Sequence, residues 1–531
     1  MVGLPSQSSV FDWIQLYKSP SLGHKPATTA KVGFFFTRQS VIISAGFHAT
    51  RELVHHRASG QSLTQEAAMD TRLSLTVLLT SATLTSAVRG DDWPTFRHDH
   101  RRSGISAEQL DAATLSLQWE YRSQQPPQTA WGGPAKWDAY AGIRNLRAMR
   151  DYDSAFHVIV VGNTLYFGST VNDALLALDT SNGQTRWAYF AEAGIRVAPA
   201  YADGRVYFGA DDGHAYCVEA DSGQLIWKFQ PPQTEPMIIN NGRFISAWPC
   251  RTGVLIREGT AYFGCSMLPW KPSFFCAVDA QTGQATGAGR FVKTWQGRTL
   301  EGALVADAKR ILLPQGRVPP LVADRKSGTV QGQLENGGGS FVSLIDGQTS
   351  IHGPGNKTGW VTISDLATRK PGKVVKGRNA MLSTPDRWVR ISDTRLECVN
   401  RKTERPEWSH EFHSVRCAII AGDTVFAGGH DTVWACRLAD GQLLWEQPVT
   451  GVVYGLAAAR GALFASTDNG RILCFRPAAD ALANRPNKPV PAKPDAAKSP
   501  TPDAVKSPTA EPADGALLGH WRFQTGMDTA A

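Results

Sequence analysis

From about residue 158 to residue 476 the apolar positions fall in short runs that alternate with polar ones or carry an aromatic pair, each run ending at a glycine-bearing turn. Arg205-Val206-Tyr207-Phe208 and His214-Ala215-Tyr216-Cys217-Val218 have the alternation and the aromatic content of strands. Asp203-Gly204 and Asp212-Gly213 punctuate them and read as hairpin turns, because glycine tolerates the positive φ that primed turns demand. The pattern predicts strand, turn, strand, turn, strand, glycine turn and a final strand bearing Trp. Four antiparallel strands in about 40 residues is the size of one propeller blade.

The unit recurs. Gly162 leads through Tyr166-Phe167-Gly168 to Ala177-Leu178-Asp179, Gly183 and Trp187; Gly204 leads through Tyr207-Phe208-Gly209 to Cys217-Val218-Glu219, Gly223 and Trp227. A third copy starts at Gly259 and reaches Asp279 and Gly283, and another runs from Gly422 through Phe426 to Gly441 and Trp445. Weaker copies surround Ile311, Ile351, Val389 and Phe464. Turn positions from Gly162 to Gly461 give intervals of roughly 43 residues and therefore eight units, with seven the alternative because units four to six are degenerate. The last unit lacks its Trp strand, and Leu115–Tyr121, with Trp119, supplies one upstream of the first. The expectation is an all-β, eight-bladed propeller of four-stranded antiparallel blades, closed by an N-terminal strand that removes both sheet edges. Each unit-ending Trp is expected to pack between neighbouring blades without a chemical role.

At these residues the chain resembles the PQQ-like (quinoprotein-type) β-propeller repeat family, whose tryptophan-docking phrase Ala-Leu-Asp-x-x-x-Gly-x-x-x-Trp it carries at 177–187. It is similar to the secreted propeller proteins of planctomycete-type bacteria. Asp92-Trp93…Phe96-Arg97…Asp99…Arg102…Gly104 resembles the lead-in that precedes such propellers, and the resemblance extends over Asp91 to Arg476. It implies the fold strongly. One fold hosts quinone dehydrogenases, outer-membrane assembly lipoproteins and binding proteins, so function has to be argued from the site.

The ends change the picture. Met69-Asp70-Thr71-Arg72, an apolar stretch and a small-residue exit near Ala87 read as a secretory signal peptide over 69–90, which puts the mature protein in the periplasm or outside the cell. Translation is then expected to start at Met69, with 1–68 a disordered extension of the gene model. The apolar stretch is too short and too rich in Thr and Ser for a transmembrane helix. The net charge of +8 includes +3 from residues 1–68 and +1 from 69–90, leaving +4 on the rest, which is no nucleic-acid footprint. Residues 477–514 are rich in Pro, Ala and Lys and read as an extended linker. The final 515–531, with Leu517-Leu518…Trp521-Arg522-Phe523, resembles the first strand of a laminin-G-like (concanavalin-type) domain; a non-functional tail is the alternative.

Eight cysteines invite disulfides. Cys217, Cys398 and Cys474 occupy the position that Ala177, Ala277 and Ala435 fill in other units and read as small buried apolar residues. Cys250 could pair with Cys265, with Cys276 nearby, and Cys417 with Cys436. Among weaker motifs, His98 and His100 lack a third ligand and read as surface residues. Asn356-Lys357-Thr358 matches a glycosylation pattern, and Gly337-Gly338-Gly339 lacks the context of a phosphate loop.

Counting eleven residues back from the first member of each Tyr-Phe pair reaches Arg196, Arg251, Glu301 and Arg378; Arg416 lies one residue out of register. Charged residues recurring at the start of inner strands would face one another across a central channel. They form either a ligand site, in which arginine grips an anionic or polar group bidentately, or an internal Arg–Glu network that fixes blade register. Two function classes follow. One is a non-catalytic extracytoplasmic binding or scaffold propeller, monomeric, without a cofactor, whose partner is a protein or a small polar or anionic ligand. The other is a PQQ-dependent alcohol or sugar dehydrogenase using PQQ with calcium. The family's dehydrogenases set a vicinal disulfide against the quinone and hold calcium beside a catalytic carboxylate. The sequence has no adjacent cysteines and no evident Glu/Asn/Asp set for a hard cation.

Overall fold

A computed structural model describes residues 90–130, 152–232, 237–316, 318–339, 341–354 and 360–477. These belong to one of the two compact units of the chain, Thr85–Ala531. The sequence expectations for 1–68, the laminin-G-like fragment and the 356–358 motif lie outside the described residues, as do the 69–90 signal peptide apart from Gly90 and the 477–514 linker apart from Pro477. Within them the protein is all-β, with one helical turn at Ala112–Thr114. No helix among the described residues is long and apolar enough to cross a membrane.

Six sheets have four antiparallel strands each, hydrogen-bonded in chain order. Sheet A is Val158–Val161, Thr164–Ser169, Ala174–Asp179 and Thr185–Phe190; sheet B is Ala200–Ala202, Arg205–Gly209, Ala215–Glu219 and Leu225–Phe229. Sheets C, D, E and F begin at Leu255–Arg257, Val305–Ala306, Phe341–Leu344 and Ala380–Ser383. The degenerate units therefore still make four strands. Ile238–Asn240 and Arg243–Ile245 form a two-stranded sheet, and a seven-stranded sheet contains the rest. Its strands Thr424–Arg437 and Leu443–Ala459 change partner midway, at register shifts near Asp431 and between Val453 and Gly455. At its far edge Leu115–Arg122 pairs antiparallel with Arg471–Pro477, and Trp119 lies opposite Cys474.

The repeated phrase explains the packing. Alternate residues of a strand face opposite sides, so Phe208 joins the core between sheets A and B while Tyr207 joins that between B and C. Tyr166 and Trp187 of sheet A both donate to the Ala220 carbonyl of sheet B, at 3.2 and 3.1 Å. Tyr207 and Trp227 of sheet B do the same to Ala280 of sheet C, at 3.1 and 3.0 Å. The Trp ring lies flat on the next unit's turn glycine, where a Cβ at Gly223 or Gly283 would come within 2.5 or 2.7 Å of it. Trp119 docks likewise on Gly183 and donates to the Thr180 carbonyl, and Trp445 donates to the Leu115 carbonyl. The third unit has no Trp here: Phe291 stands opposite Ala277 and against Gly328 in its place.

Turn geometry matched in one case and differed in another. Asp203 and Gly204 both have positive φ, as a primed turn requires. Asp212 does not: the connection is a longer turn closed by Gly213 N–H to the Ala210 carbonyl, which leaves Asp211 pointing elsewhere.

The lead-in binds the edge strands together. Trp93 exchanges backbone bonds with Val160 of sheet A, and Pro94 accepts from Tyr201 of sheet B. His100, Arg101 and Gly104 accept from Ala306 of sheet D, Leu344 of sheet E and Ile420 of the seven-stranded sheet.

Candidate functional site

Arg196, Arg251 and Glu301 lie in the loops that lead into the first strands of sheets B, C and D. Arg196 donates from Nε to Asp211 Oδ2 at 2.5 Å and from Nη1 to Asp153 Oδ2 at 2.9 Å and the Gln128 carbonyl at 2.7 Å. Arg251 grips the same Asp211 bidentately, Nε to Oδ1 at 2.9 Å and Nη2 to Oδ2 at 3.1 Å. All four side chains are at least nine-tenths buried. Glu301, also buried, accepts from the Tyr152 hydroxyl at 2.7 Å.

The electrostatics follow the pairing. Burial would raise the Asp211 carboxyl, but Arg251 and Arg196 outweigh it and hold it below the usual carboxylate range. Asp153, with one guanidinium, is raised because burial wins. Tyr152 is pushed well above an ordinary phenol by burial and by the charges of Glu301 and Asp153. Arg196 and Arg251 are raised despite burial, chiefly by Asp211. Removing one member of such a buried cluster costs about 3–5 kcal/mol, because the remaining charge loses its partner.

Arg378 and Arg416 belong elsewhere. Arg378 donates to Glu397 at 3.0 Å, sharing it with Arg390, and Arg416 donates to Asp393 at 2.6 Å. Both sit on partly exposed pairs, where an ion pair contributes about 0–1 kcal/mol. Of the five charged positions, the structure joins Arg196 and Arg251 through Asp211 and sets Glu301 beside them as an electrostatic neighbour of Arg251. Asp211 was the residue sequence reasoning missed. It stands next to a turn pair, where aspartate has an ordinary local explanation.

Arg416 instead lines a cavity of about 100 Å³ beneath the lead-in, together with Phe96, Arg97, Tyr152, Phe341, Asn379 and Tyr454. The signal for this second cluster was the lead-in motif, which contains Phe96, Arg97 and Arg102. Arg97, His98 and Arg102 all have left-handed φ, between 54° and 77°. Non-glycine residues hold that region only where surrounding contacts over-determine it.

Among the described residues no group of three or more His, Cys, Asp or Glu is arranged to hold a metal ion. All eight cysteines are free thiols. Cys250, Cys265 and Cys276 share one apolar cluster, and burial raises Cys265 and Cys276 well above an ordinary thiol. Cys417 lies against the Val453 carbonyl, whereas Cys436 is buried opposite Leu443.

Residues 147–318 match the family described as outer membrane protein assembly factor BamB, a PQQ-type repeat family. A stretch of 139 residues is 27% identical to the dehydrogenase subunit of the quinone alcohol dehydrogenase of Gluconobacter oxydans. It covers 24% of this chain but only 18% of that protein. Among solved structures, the quinohemoprotein alcohol dehydrogenase of Comamonas testosteroni superposes with a TM-score of 0.53 at 15% identity, over 75% of this chain and 82% of that one. A europium-containing methanol dehydrogenase gives 0.52 at 12% identity, over 73% and 98%. At these identities the superpositions concern fold alone. Over residues 147–318 the chain is similar to PQQ-type repeats, which occur both in an assembly-factor family and in quinone dehydrogenases, and its fold is propeller-like.

Proposed function

We propose that this chain is a non-catalytic extracytoplasmic binding or scaffold propeller of eight blades, closed by Leu115–Arg122. The observation that carries the functional reading is how the buried charges are engaged. Asp211 is held by two guanidiniums and Asp153 by one, Glu301 takes the Tyr152 hydroxyl, and Asp393 and Glu397 face Arg416 and Arg378. Asp153 and Asp211, bound in this way, tie neighbouring units together, and a hard cation would have to displace a buried guanidinium to reach Asp211. The blade count is supported by six four-stranded sheets plus a seven-stranded one, in which Thr424–Arg437 supplies two strands of the Gly422 unit and Leu443–Ala459 passes from that unit into the last. Closure is supported by the pairing of Leu115–Arg122 with Arg471–Pro477 and by Trp docking on both sides of it. The secretory-type pattern over 69–90 supports a secreted or periplasmic location, and the match to an outer-membrane assembly factor suits a protein or small polar partner. Residues 91–476 would form the propeller, 477–514 a linker and 515–531 a laminin-G-like fragment.

The second reading is a PQQ-dependent alcohol or sugar dehydrogenase, favoured by the identity to the Gluconobacter oxydans subunit. Quinone reconstitution separates the two. The purified full chain, incubated with PQQ and calcium, is expected to show no new visible absorbance and no dye reduction by alcohols or sugars. Dye reduction dependent on both additions would overturn the scaffold reading.

A further inference from the structure

The lead-in contributes two arginines to the interior, and their surroundings differ sharply. Arg102 has acceptors on two of its nitrogens: Nε donates to the Leu304 carbonyl at 2.9 Å, and Nη1 to Thr95 Oγ1 at 2.6 Å and to the Phe96 and Asp99 carbonyls at 3.0 and 3.3 Å. Arg97 does not. Its Nε donates to the Arg102 carbonyl at 3.2 Å, and its guanidinium lies 4.9 Å from the centre of the Phe341 ring. Its Nη2 is shut off from water and meets no acceptor. No ion pair is made by Arg97 among the described residues.

That arrangement is costly as it stands. A guanidinium nitrogen shut off from water without an acceptor loses solvation that neither a cation–π contact nor one long hydrogen bond at a neighbouring nitrogen restores. Burial accordingly pulls the Arg97 guanidinium down to about 10, and the same force pulls Arg102 down to about 10. The one carboxylate that attracts both is Asp99, whose oxygens are already taken up by Ser103 and the Arg101 N–H. Asp99 also faces Arg101 Nε at 3.9 Å, so the guanidiniums of the lead-in outnumber this carboxylate and Arg97 is left without a counter-charge of its own. Arg416, across the cavity, is balanced by Asp393.

We propose that the cavity beneath the lead-in binds a small organic monocarboxylate, its carboxylate paired with Arg97 and its apolar body set among Phe96, Phe341, Pro314 and Ile391. A guanidinium presents two parallel donors to a carboxylate. Inorganic phosphate has no apolar part for these walls. About 100 Å³ of water-accessible space accommodates an acid of roughly the size of benzoate. This site rests on the binding-propeller reading and gives it a ligand class. Arg196 and Arg251 play no part in it.

The test uses the full chain, benzoate as probe and inorganic phosphate as control, read by titration calorimetry and melting temperature. Wild type is expected to bind one benzoate saturably and to melt higher with it, with no shift from equal phosphate. Arg97→Met is expected to weaken benzoate at least tenfold while melting, without benzoate, no lower than wild type. Ala303→Leu, which fills the cavity and leaves Arg97 in place, is expected to weaken benzoate as much and serves should the first variant fail to fold. Equal benzoate affinity in either folded variant and wild type, phosphate binding in place of benzoate, or no saturable benzoate binding to wild type would each overturn the proposal. None of these bears on the scaffold reading, which dye reduction in the quinone reconstitution decides separately.

Discussion

His352 is the side chain whose titration should be visible in the stability of the molecule. It is fully buried on Thr349–Gly353, with Nδ1 3.0 Å from the Gly338 carbonyl and Nε2 2.9 Å from Ser364 Oγ. A carbonyl only accepts, so Nδ1 carries the hydrogen and Nε2 accepts from the serine hydroxyl. Burial lowers the imidazole to about 4, partly opposed by the Gly338 bond. Because the folded value lies below the unfolded one of about 6.5, its contribution is complete above pH 6.5 and is lost as pH falls towards 4. The loss is about 2–3 kcal/mol by pH 4.5. Urea denaturation at pH 7 and pH 4.5 is expected to show a larger drop for wild type than for His352→Gln, and equal drops would contradict this account. Nothing in the sequence marked His352, because a lone histidine in a strand run has no local signature. Arg196 and Arg251 were legible, since the repeat fixes their distance from the Tyr-Phe pair. Their meaning was not, because Asp211 and Asp153 come from a turn and from a segment outside the repeat.

At the scale of the strand and its turn, the repeated phrase is a docking device. The turn glycine is small because the neighbouring Trp ring lies on it, and it adopts positive φ because the turn requires it. Two glycines of the third unit separate these causes. Gly259 and Gly283 both have left-handed φ, at 68° and 72°, but a Cβ at Gly259 meets nothing within 4 Å whereas one at Gly283 meets Trp227 at 2.7 Å. Gly259→Ala is expected to cost about 1 kcal/mol from backbone conformation. Gly283→Ala is expected to cost about 1–3 kcal/mol more, because the ring must move. Chemical denaturation of the two variants checks this, and equal costs would mean that the Trp contributes nothing through this contact. The device was readable wherever Trp follows glycine at fixed spacing. It was unreadable in the third unit, where Ala285–Arg290 lengthens the turn and Phe291 takes the ring's place. Sheets D to F kept their four strands although their phrases had decayed, because main-chain pairing tolerates side-chain drift that a consensus comparison does not.

For the molecule as a whole, stability is expected to depend on segments that precede the first repeat. Leu115–Arg122 covers Arg471–Pro477, whose Ile472, Leu473, Cys474 and Phe475 are all buried. Trp119 continues the docking series onto Gly183 and Thr180, and the lead-in ties five sheets through backbone bonds. Without these segments the last strand becomes an unpaired apolar edge, the kind of surface that recruits other chains. The apolar cluster that links the seven-stranded sheet to sheet A would also lose Trp93, Leu115, Trp119 and Tyr121. Deleting 91–122 is therefore expected to give a lower, broader melting transition accompanied by light scattering. Trp119→Ala, which keeps the strand but empties the dock, is expected to cost about 3–5 kcal/mol without added light scattering. Circular dichroism melts with simultaneous scattering distinguish the two, since only the deletion opens an edge. A deletion variant that melts at the wild-type midpoint without scattering would show that the repeats hold together without this latch, and the proposed ring would have to be replaced by an open array.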